Sequence, residues 1–413
     1  MPVIAPTTPD APLDYRTTAA LSLLLSAWLI AIDPIITRDA IIYLRTAEAY
    51  LQDGFFASQQ LFGRPMLSLC IATVHQLTGL SLLWSGLLLS SLVYALLCVG
   101  FVAVVRELGG GRKTQVIAAV VILCHPLISD YRSSIMRDPA YWAFMIMAFR
   151  QLLLYARGSR LRHQLGWFAY LFIAILFRFE GIFFAALAPL ALLFTGEPGQ
   201  RWRSCLRLLL PQMAAILATV AGIVLYQEIV DPGARLFPDI EKYLQRLLDI
   251  PQRFEEMAAQ SGAAMLAFSA REDANTAVVA GLLAVLMLNI CRALSWPWVA
   301  TLLWARWRGL LSRVRPDDVL LLNAHLLIAL LYLAAFTLIN QFMLERYAGV
   351  FTLFALLYLP FALSALWQAG GRWARVIVGA LLLTLAADTP VSYTHLTLPT
   401  ICFKCRCRGW AGG

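Results

Sequence analysis

The sequence predicts an all-α, polytopic membrane protein. Of its 413 residues, 60% are hydrophobic and only 14% are charged, whereas soluble domains carry roughly 25% charged residues. Mean hydropathy is +0.72, and apolar runs long enough to cross a bilayer as helices recur from residue 19 to 387. A soluble enzyme is therefore excluded. The continuous Leu, Ala and Val runs also differ from the short alternating segments of a transmembrane barrel.

Breaks in the apolar runs divide the chain into about eleven predicted spans, the last of them truncated. These spans lie near residues 17–36, 82–105, 114–128, 139–156, 164–177, 182–195, 207–228, 277–304, 319–339, 347–366 and 376–388. Residues 1–16 are a predicted cytoplasmic tail without the basic segment of a signal peptide. The transmembrane domain is expected to cover residues 17–390.

The orientation follows from the loop charges, because Lys and Arg mark the cytoplasmic side. If the short apolar segment 66–80 does not span, one set of short loops carries most of the basic residues and the opposite loops carry most of the acids. The basic set comprises Arg16, Arg106, Arg112, Lys113, Arg150, Arg157, Arg160, Arg162, Arg201, Arg203, Arg207, Arg306, Arg308, Arg313, Arg315, Arg372 and Arg375. We therefore predict a cytoplasmic N-terminus and an interfacial helix at 66–80 on the outer face.

Two predicted outer stretches, 37–81 and 229–276, are long enough to hold juxtamembrane helices. A helical apolar spacing with charges between its members marks the second stretch. Its members are Ile240, Tyr243, Leu244, Leu247 and Leu248.

Because the inner loops are too short for a catalytic domain, chemistry is expected on the outer face or inside the membrane. The inner-loop arginines explain the net charge of +9, so no nucleic-acid partner is indicated.

The end of the chain differs from the rest. Residues 391–400 read VSYTHLTLPT, which looks like the translation of a common sequencing adapter, and a mixture of Cys, Arg, Lys and Gly follows. We therefore expect residues 391–413 to be foreign to the natural protein. A metal site built from His395 and the nearby cysteines is disfavoured because the spacing supplies no second ligand pair. The cysteines in apolar segments imply no disulfide framework.

Asp39 begins the first predicted outer helix, just after the first span. A carboxylate at the membrane surface can remove the proton of a hydroxyl group, so Asp39 is the candidate general base. An Asp in the first turn of a helix also serves as a cap and dipole partner, which is the structural alternative. Asp33, near the outer end of the first span, is interpreted as a helix-end feature.

Arg137 and Asp138 precede Pro139 at the outer start of another span. Proline favours the first turn of a helix, so Asp138 is expected to be an N-cap, with catalysis as the alternative. No comparable structural reason explains Arg137, which is a candidate ligand for an anion.

Arg178 and Glu180 lie in FRFEG, between two apolar segments that are each too short to cross the hydrocarbon layer. Ionisable residues below the membrane surface usually face a cavity or each other. The pair is therefore either functional or a structural ion pair.

Glu345 and Arg346 form a third pair of neighbouring ionisable residues, in the outer turn NQFMLERY. Because arginine binds phosphate oxygens through two parallel hydrogen bonds, arginines that converge on one cavity would suit an anionic lipid head group. Snorkelling of the side chain to the interface is the alternative. The sequence contains no GxxxxGK[ST], HExxH, DxD or GxSxG motif, so nucleotide-sugar and ATP chemistry have no visible site.

Four stretches resemble the C-type superfamily of membrane glycosyltransferases (GT-C), especially protein O-mannosyltransferases and lipid A aminoarabinose transferases. The first outer loop of the family is similar to RDAIIYLRTAEAYLQDG, and its second outer helix and following span are similar to GRPMLSLCIATVHQLTGLSLLWSGLLLSSLV. The Arg-x-Glu turn is similar to LFRFEG, and the late outer turn to LERY. Many members have two acids where this chain has Arg38 and Asp39.

The resemblance implies a GT-C-like fold and an inverting transfer of a sugar from a polyprenyl-phosphate donor. The acceptor would be a lipid, glycan or protein on the outer side of a bacterial inner membrane. Asp39 would be the general base, and Arg137, Arg178 and Arg346 would bind the lipid phosphate. Secondary acidic candidates are Asp138, Glu180 and Glu345. No cofactor is certain, and use of a divalent metal is left open.

Two other functions remain as alternatives. A transporter or lipid flippase would line a substrate path with Arg178, Glu180 and Arg292, although the sequence has no convincing internal repeat. A polymerase or ligase of cell-surface polysaccharide would share the lipid-phosphate substrate without requiring Asp39.

Overall fold

The computed structural model describes residues 13–32, 36–195, 198–229, 245, 248–265, 272–309, 314, 316–369, 371–372, 375–376 and 378–383. These residues form helices and connecting turns, with no β-strand among them. Six helical stretches are long and apolar enough to cross a membrane: Tyr15–Ile32, Leu82–Glu107, Arg201–Gly222, Ala274–Leu294, Pro316–Asn340 and Glu345–Gln368. The helical class is thereby confirmed, while the count of eleven spans stays a prediction.

The first four helices form one side of the bundle. Helix α1 (Tyr15–Ile32) packs against α4 (Leu82–Glu107), and α2 (Arg38–Leu61) and α3 (Met66–Thr78) contact each other and α4. Gly79 ends α3 with φ +71°, a left-handed conformation that glycine adopts without steric cost. Two helices therefore occupy the predicted outer stretch 37–81, and α3 coincides with the segment predicted to be interfacial.

Helix α7 (Asp138–Gly158) lies at the centre of the core, between α4 and α8 (Leu161–Phe177). Its Trp142 and Phe149 are fully buried. Small residues permit the close packing: a Cβ at Gly100 of α4 would lie 2.9 Å from the Ile146 side chain. Preceding α7 are α5 (Arg112–Cys124) and the single turn α6 (Pro126–Ser129).

A buried arginine anchors the connection between α6 and α7. Arg132 is 0% exposed, and its Nη1 donates hydrogen bonds to the hydroxyl groups of Ser22 (2.9 Å) and Ser26 (3.2 Å) on α1. Its guanidinium group also stacks over the Tyr94 ring of α4. The connection that carries Arg137 is thus fastened to two neighbouring helices.

The next helices correspond to the predicted apolar segments 182–195 and 207–228. Helix α9 (Gly181–Leu187) runs into a 3-10 helix (Ala188–Phe194), and α10 (Arg201–Ile229) follows. Helix α11 (Ile250–Met265) packs on α12 (Ala274–Leu294) through Ala258, Val278 and Leu282. Of the apolar positions predicted to form an amphipathic helix in 229–276, only Leu248 lies within the described residues.

The predicted span 277–304 is interrupted, because α12 and α13 (Trp296–Trp307) are separated at Ser295, which has φ +65°. Because the helix breaks here, the Leu294 carbonyl is available to a side chain, and it accepts a hydrogen bond from His125 Nε2 at 3.3 Å. His125 itself separates α5 from α6. Two helix breaks therefore meet in the buried core.

The last described helices are α14 (Pro316–Asn340), a 3-10 helix (Glu345–Ala348), α15 (Gly349–Leu356) and α16 (Leu359–Ala369). Gly349 lets this segment contact the Trp142 indole so closely that an added Cβ would overlap the ring. Residues 376 and 378–383 of the predicted span 376–388 are helical, and the rest of that span, together with Asp33 and residues 391–413, lies outside the described residues.

Ion pairs join three helices at the end of the bundle where α7 terminates. Glu107 of α4 accepts hydrogen bonds from Arg150 (2.9 Å) and Arg157 (3.3 Å) of α7. Arg157 also contacts Asp318 of α14 at 2.8 Å. The residues predicted to carry chemistry lie at the opposite end, where α7 begins.

Candidate functional site

A cavity of about 120 Å³ lies where α2, α7, α8 and the turn before α15 come together. We call it the charged cavity, because five of its nine lining residues are aspartates or arginines. The lining residues are Asp39, Ile42, Tyr43, Phe62, Arg137, Asp138, Arg178, Arg346 and Tyr347. All four residues predicted to act on the substrate, Asp39, Arg137, Arg178 and Arg346, are therefore brought together, although they belong to four different parts of the chain.

Asp39 faces the cavity from the first turn of α2. Thr37, not Asp39, is the N-cap residue of this helix, since the Thr37 hydroxyl accepts a hydrogen bond from the Ala40 backbone N–H. One carboxylate oxygen of Asp39, Oδ2, accepts a hydrogen bond from Arg346 Nη1 at 2.7 Å. Asp39 remains about one-third exposed, so its carboxylate is accessible from the cavity.

Asp138 makes a different contact from the one the sequence predicts. The N-cap prediction is wrong: Arg137 occupies the N-cap position of α7, and no side chain caps that helix end. The Asp138 carboxylate instead accepts a hydrogen bond from Arg178. The Arg178 guanidinium group attracts the buried Asp138 carboxylate more strongly than the backbone N–H groups at the start of α7 do. Pro139 also removes one of those N–H groups, because proline has none.

Arg178 and Glu180 form the ion pair that was the structural alternative. Arg178 Nε and Nη2 donate to the two Glu180 oxygens at 3.2 and 2.5 Å, and Nη1 donates to Asp138. The Arg178 side chain is only 6% exposed. Burial raises the pKa of the Glu180 carboxyl, but the charge and hydrogen bonds of Arg178 outweigh burial and hold that pKa at about 2. All three guanidinium nitrogens of Arg178 are thus bound to carboxylates.

Arg137 has no such carboxylate partner among the described residues. Its guanidinium group lies over the Phe62 ring, 5.5 Å from the centroid, and Nη1 is buried without a hydrogen-bond partner there. Burial lowers the pKa of Arg137, and the like charges of Arg178 and Arg64 lower it further. A buried, incompletely hydrogen-bonded cation gains more from an approaching anion than one already paired.

Three aromatic side chains, Tyr43, Phe62 and Tyr347, form one wall of the cavity. Tyr43 and Phe62 pack edge to face, with centroids 5.4 Å apart, and Tyr347 lies under the guanidinium groups of both Arg178 and Arg346. Burial raises the pKa of Tyr43, so this phenol stays neutral. The resemblance of RDAIIYLRTAEAYLQDG to the first outer loop of GT-C enzymes already included Tyr43, four residues after Asp39. Phe62 and Tyr347 were not predicted, although Tyr347 directly follows Arg346.

Two other predicted residues lie away from the cavity surface. Glu345 begins the 3-10 helix but is not a lining residue. Arg292 lies in the last turn of α12, beside the break at Ser295. Neither residue contacts the charged cavity in the described structure.

The donor set of the cavity does not fit a divalent metal. Both lining carboxylates, Asp39 and Asp138, already accept hydrogen bonds from arginines, and three guanidinium groups at the same cavity would repel a cation. Within the described ranges, no three His, Cys, Asp or Glu side chains converge as metal ligands. The lining residues suit a bound anion better.

Comparison with known proteins assigns no family. No protein-family model matches the chain, and no curated protein shows significant sequence similarity to it. The functional interpretation therefore depends on the geometry and charge of the cavity.

Proposed function

We propose that the protein is an inverting glycosyltransferase of the GT-C kind. It would move a sugar from a polyprenyl-phosphate donor to an acceptor on the extracytoplasmic side of a bacterial inner membrane, with the N-terminus in the cytoplasm. One observation carries the proposal: a carboxylate, Asp39, and a guanidinium group with an unpaired nitrogen, Arg137, face the same small cavity. Displacement of a sugar from a phosphate needs a base for the acceptor hydroxyl and a cation for the departing phosphate, and both must lie beside the same reacting carbon.

The reaction assigns one task to each of these groups. Asp39 takes the proton of the acceptor hydroxyl while the hydroxyl oxygen attacks the anomeric carbon of the donor. The bond between that carbon and the phosphate oxygen breaks, and its electron pair remains on the departing polyprenyl phosphate. Arg137 stabilises the charge that develops there. Attack opposite the departing phosphate inverts the anomeric configuration.

The other two arginines differ from Arg137 in what they can contribute. Arg346 holds Asp39 through Oδ2, which orients the carboxylate and leaves Oδ1 for the acceptor hydroxyl. Arg178 is bound to two carboxylates, so we assign it as a positioning residue rather than a phosphate ligand. The charge of Arg178 still adds to the positive potential of the cavity wall.

Donor turnover in proteoliposomes tests the proposal. The full chain receives polyprenyl-phosphate mannose, and then other polyprenyl-phosphate sugars, together with an alkyl glycoside as hydroxyl acceptor; release of polyprenyl phosphate is measured. Because a general base typically contributes 10²–10⁴-fold, Asp39→Asn should lower release about 100-fold or more while donor binding persists. Asp53→Asn, an exposed carboxylate of the same helix, is the matched control. Equal release by the parent and Asp39→Asn would contradict the base assignment.

A transporter is the second candidate, and the two helix breaks favour it. Interrupted helices that meet inside a bundle are typical of transporter substrate sites, and here the break at His125 contacts the break at Ser295 through the Leu294 carbonyl. The same proteoliposomes distinguish the two functions. Uptake of intact lipid-linked sugar with no release of polyprenyl phosphate would favour transport over transfer.

A further inference from the structure

A second cavity, of about 210 Å³, lies on the other side of α2. We call it the apolar cavity. Its lining residues come from the end of α1, the start of α2, the start of α4 and the connection before α7. No charged side chain is among them, and the polar side-chain groups are the hydroxyls of Thr37, Ser133 and Ser134 and the indole N–H of Trp84.

The position of this cavity relates it to the membrane. Helices α1 and α4 are two of the stretches that can cross a bilayer, and the cavity lies at the ends of these helices near the charged cavity. Trp84 and Ile36, which line it, are 56% and 38% exposed. Large exposed apolar residues at the end of a membrane helix lie among lipid chains, and Trp favours the level of the head groups. A hydrocarbon chain can therefore enter from the lipid.

The first turn of α2 separates the apolar cavity from the charged cavity. Thr37 and Ala40 line the apolar cavity, whereas Asp39 and Tyr43 line the charged one. The connection before α7 also contributes to both cavities, because Ile135 lines the apolar cavity and Arg137 lines the charged cavity. A molecule with a hydrocarbon chain in the apolar cavity would thus have its polar end beside Asp39.

We propose that the apolar cavity binds the hydrocarbon chain of the acceptor, and that the acceptor is an amphiphile with a hydroxyl-bearing head group. The inference rests on the proposed function, because Asp39 acts on the acceptor. The chain would hold the hydroxyl group at the Asp39 side of the charged cavity, while the donor phosphate lies at Arg137. An acceptor without a chain would lack this anchor and bind more weakly.

Photolabelling tests the site without requiring turnover. Proteoliposomes of the full chain are irradiated with an alkyl glycoside that carries a diazirine in its chain, and the labelled peptides are mapped. We expect saturable labelling around residues 36–40, 83–87 and 133–135 that excess unlabelled alkyl glycoside removes. Leu87 lines the cavity, so Leu87→Trp would fill it and weaken saturable labelling about tenfold, because the indole would occupy volume that the hydrocarbon chain requires.

The control is Leu92→Trp on the same helix. Leu92 is 49% exposed and does not line the apolar cavity, so the larger ring would point away from the protein core and leave the cavity unchanged. Equal labelling of both variants, or labelling that does not saturate, would overturn the proposal. So would preferential labelling of the same peptides by a diazirine-bearing isoprenyl phosphate, because the cavity would then belong to the donor. Saturable labelling without any sugar transfer would instead contradict the proposed function while leaving an amphiphile site.

Discussion

Each arginine of the charged cavity has its own set of partners, and those partners determine what the arginine can bind. Arg178 donates to Asp138 and Glu180, Arg346 donates to Asp39, and Arg137 keeps a guanidinium nitrogen unpaired among the described residues. An incoming phosphate gains hydrogen bonds at Arg137 without breaking an ion pair. At Arg178 it would have to displace two carboxylates.

Removal of Arg178 tests its assignment as a positioning residue. Arg178→Ala would leave two buried carboxylates without their cation, which typically costs about 3–5 kcal/mol. We expect a large fall in the thermal unfolding temperature in detergent, measured by intrinsic fluorescence. Arg45→Ala, an exposed arginine of α2, should leave the unfolding temperature nearly unchanged. A stable Arg178→Ala variant with weakened donor binding would make Arg178 a phosphate ligand.

The pH dependence of stability should report the Glu180 ion pair. Because the pKa of Glu180 is lowered from about 4.5 to about 2 on folding, its stabilisation is fully present above the unfolded value and is lost as the pH falls towards 2. We expect the difference in unfolding temperature between the parent and Glu180→Gln to be constant from about pH 6 to 8 and to shrink in acid. A difference that grows in acid would contradict the ion pair.

Helix ends, rather than helix middles, carry the charged cavity. Asp39 lies in the first turn of α2, Arg137 and Asp138 begin α7, and Arg178 follows the last residue of α8. The irregular backbone at these ends frees side chains from packing between helices. The cavity is therefore sensitive to how closely neighbouring helix ends approach.

The contact between α15 and α7 is one such approach. A Cβ at Gly349 would overlap the indole of Trp142, which is 1% exposed and cannot turn away. Gly349→Ala should therefore destabilise the protein by about 1–3 kcal/mol despite the better helix propensity of alanine. Gly281→Ala, at a helical glycine of α12 with open space around its Cβ position, is the control. Equal unfolding temperatures for both variants would contradict this close packing.

Sequence patterns predicted the charged residues of the site and, as an alternative, the Arg178–Glu180 ion pair, but not the pairs between distant parts of the chain. Charged residues are so rare in apolar runs that Arg137, Arg178 and Arg346 are conspicuous from composition alone. Their partners are not, because Arg178 meets Asp138 across 40 residues and Arg346 meets Asp39 across 307. The breaks at His125 and Ser295 are hidden for a related reason: hydropathy continues across them.

In the part of the chain that the structure describes, two charged clusters lie at opposite ends. The charged cavity lies where α7 begins, and the network of Glu107, Arg150, Arg157 and Asp318 lies where α7 ends. The charge rule predicts that the second end faces the cytoplasm. The orientation of the whole protein thus decides from which side substrates reach Asp39.

Cysteine labelling measures that orientation. In a cysteine-free background, Asp53→Cys on α2 should react with a membrane-impermeant maleimide in intact cells, whereas Arg160→Cys, between α7 and α8, should react only after permeabilisation. Both positions are exposed in the fold. The reverse pattern would put the charged cavity in the cytoplasm and contradict an extracytoplasmic reaction.

The distance along the chain between Asp39 and Arg346 has a consequence for biosynthesis. Asp39 is translated early and Arg346 late, 307 residues afterwards, and membrane insertion proceeds from the N-terminus during synthesis. A nascent chain therefore carries an unpaired carboxylate through most of its translation. The charged cavity is complete only when the 3-10 helix that carries Arg346 docks beside α2, so a nascent chain that has not reached this helix would lack the complete site.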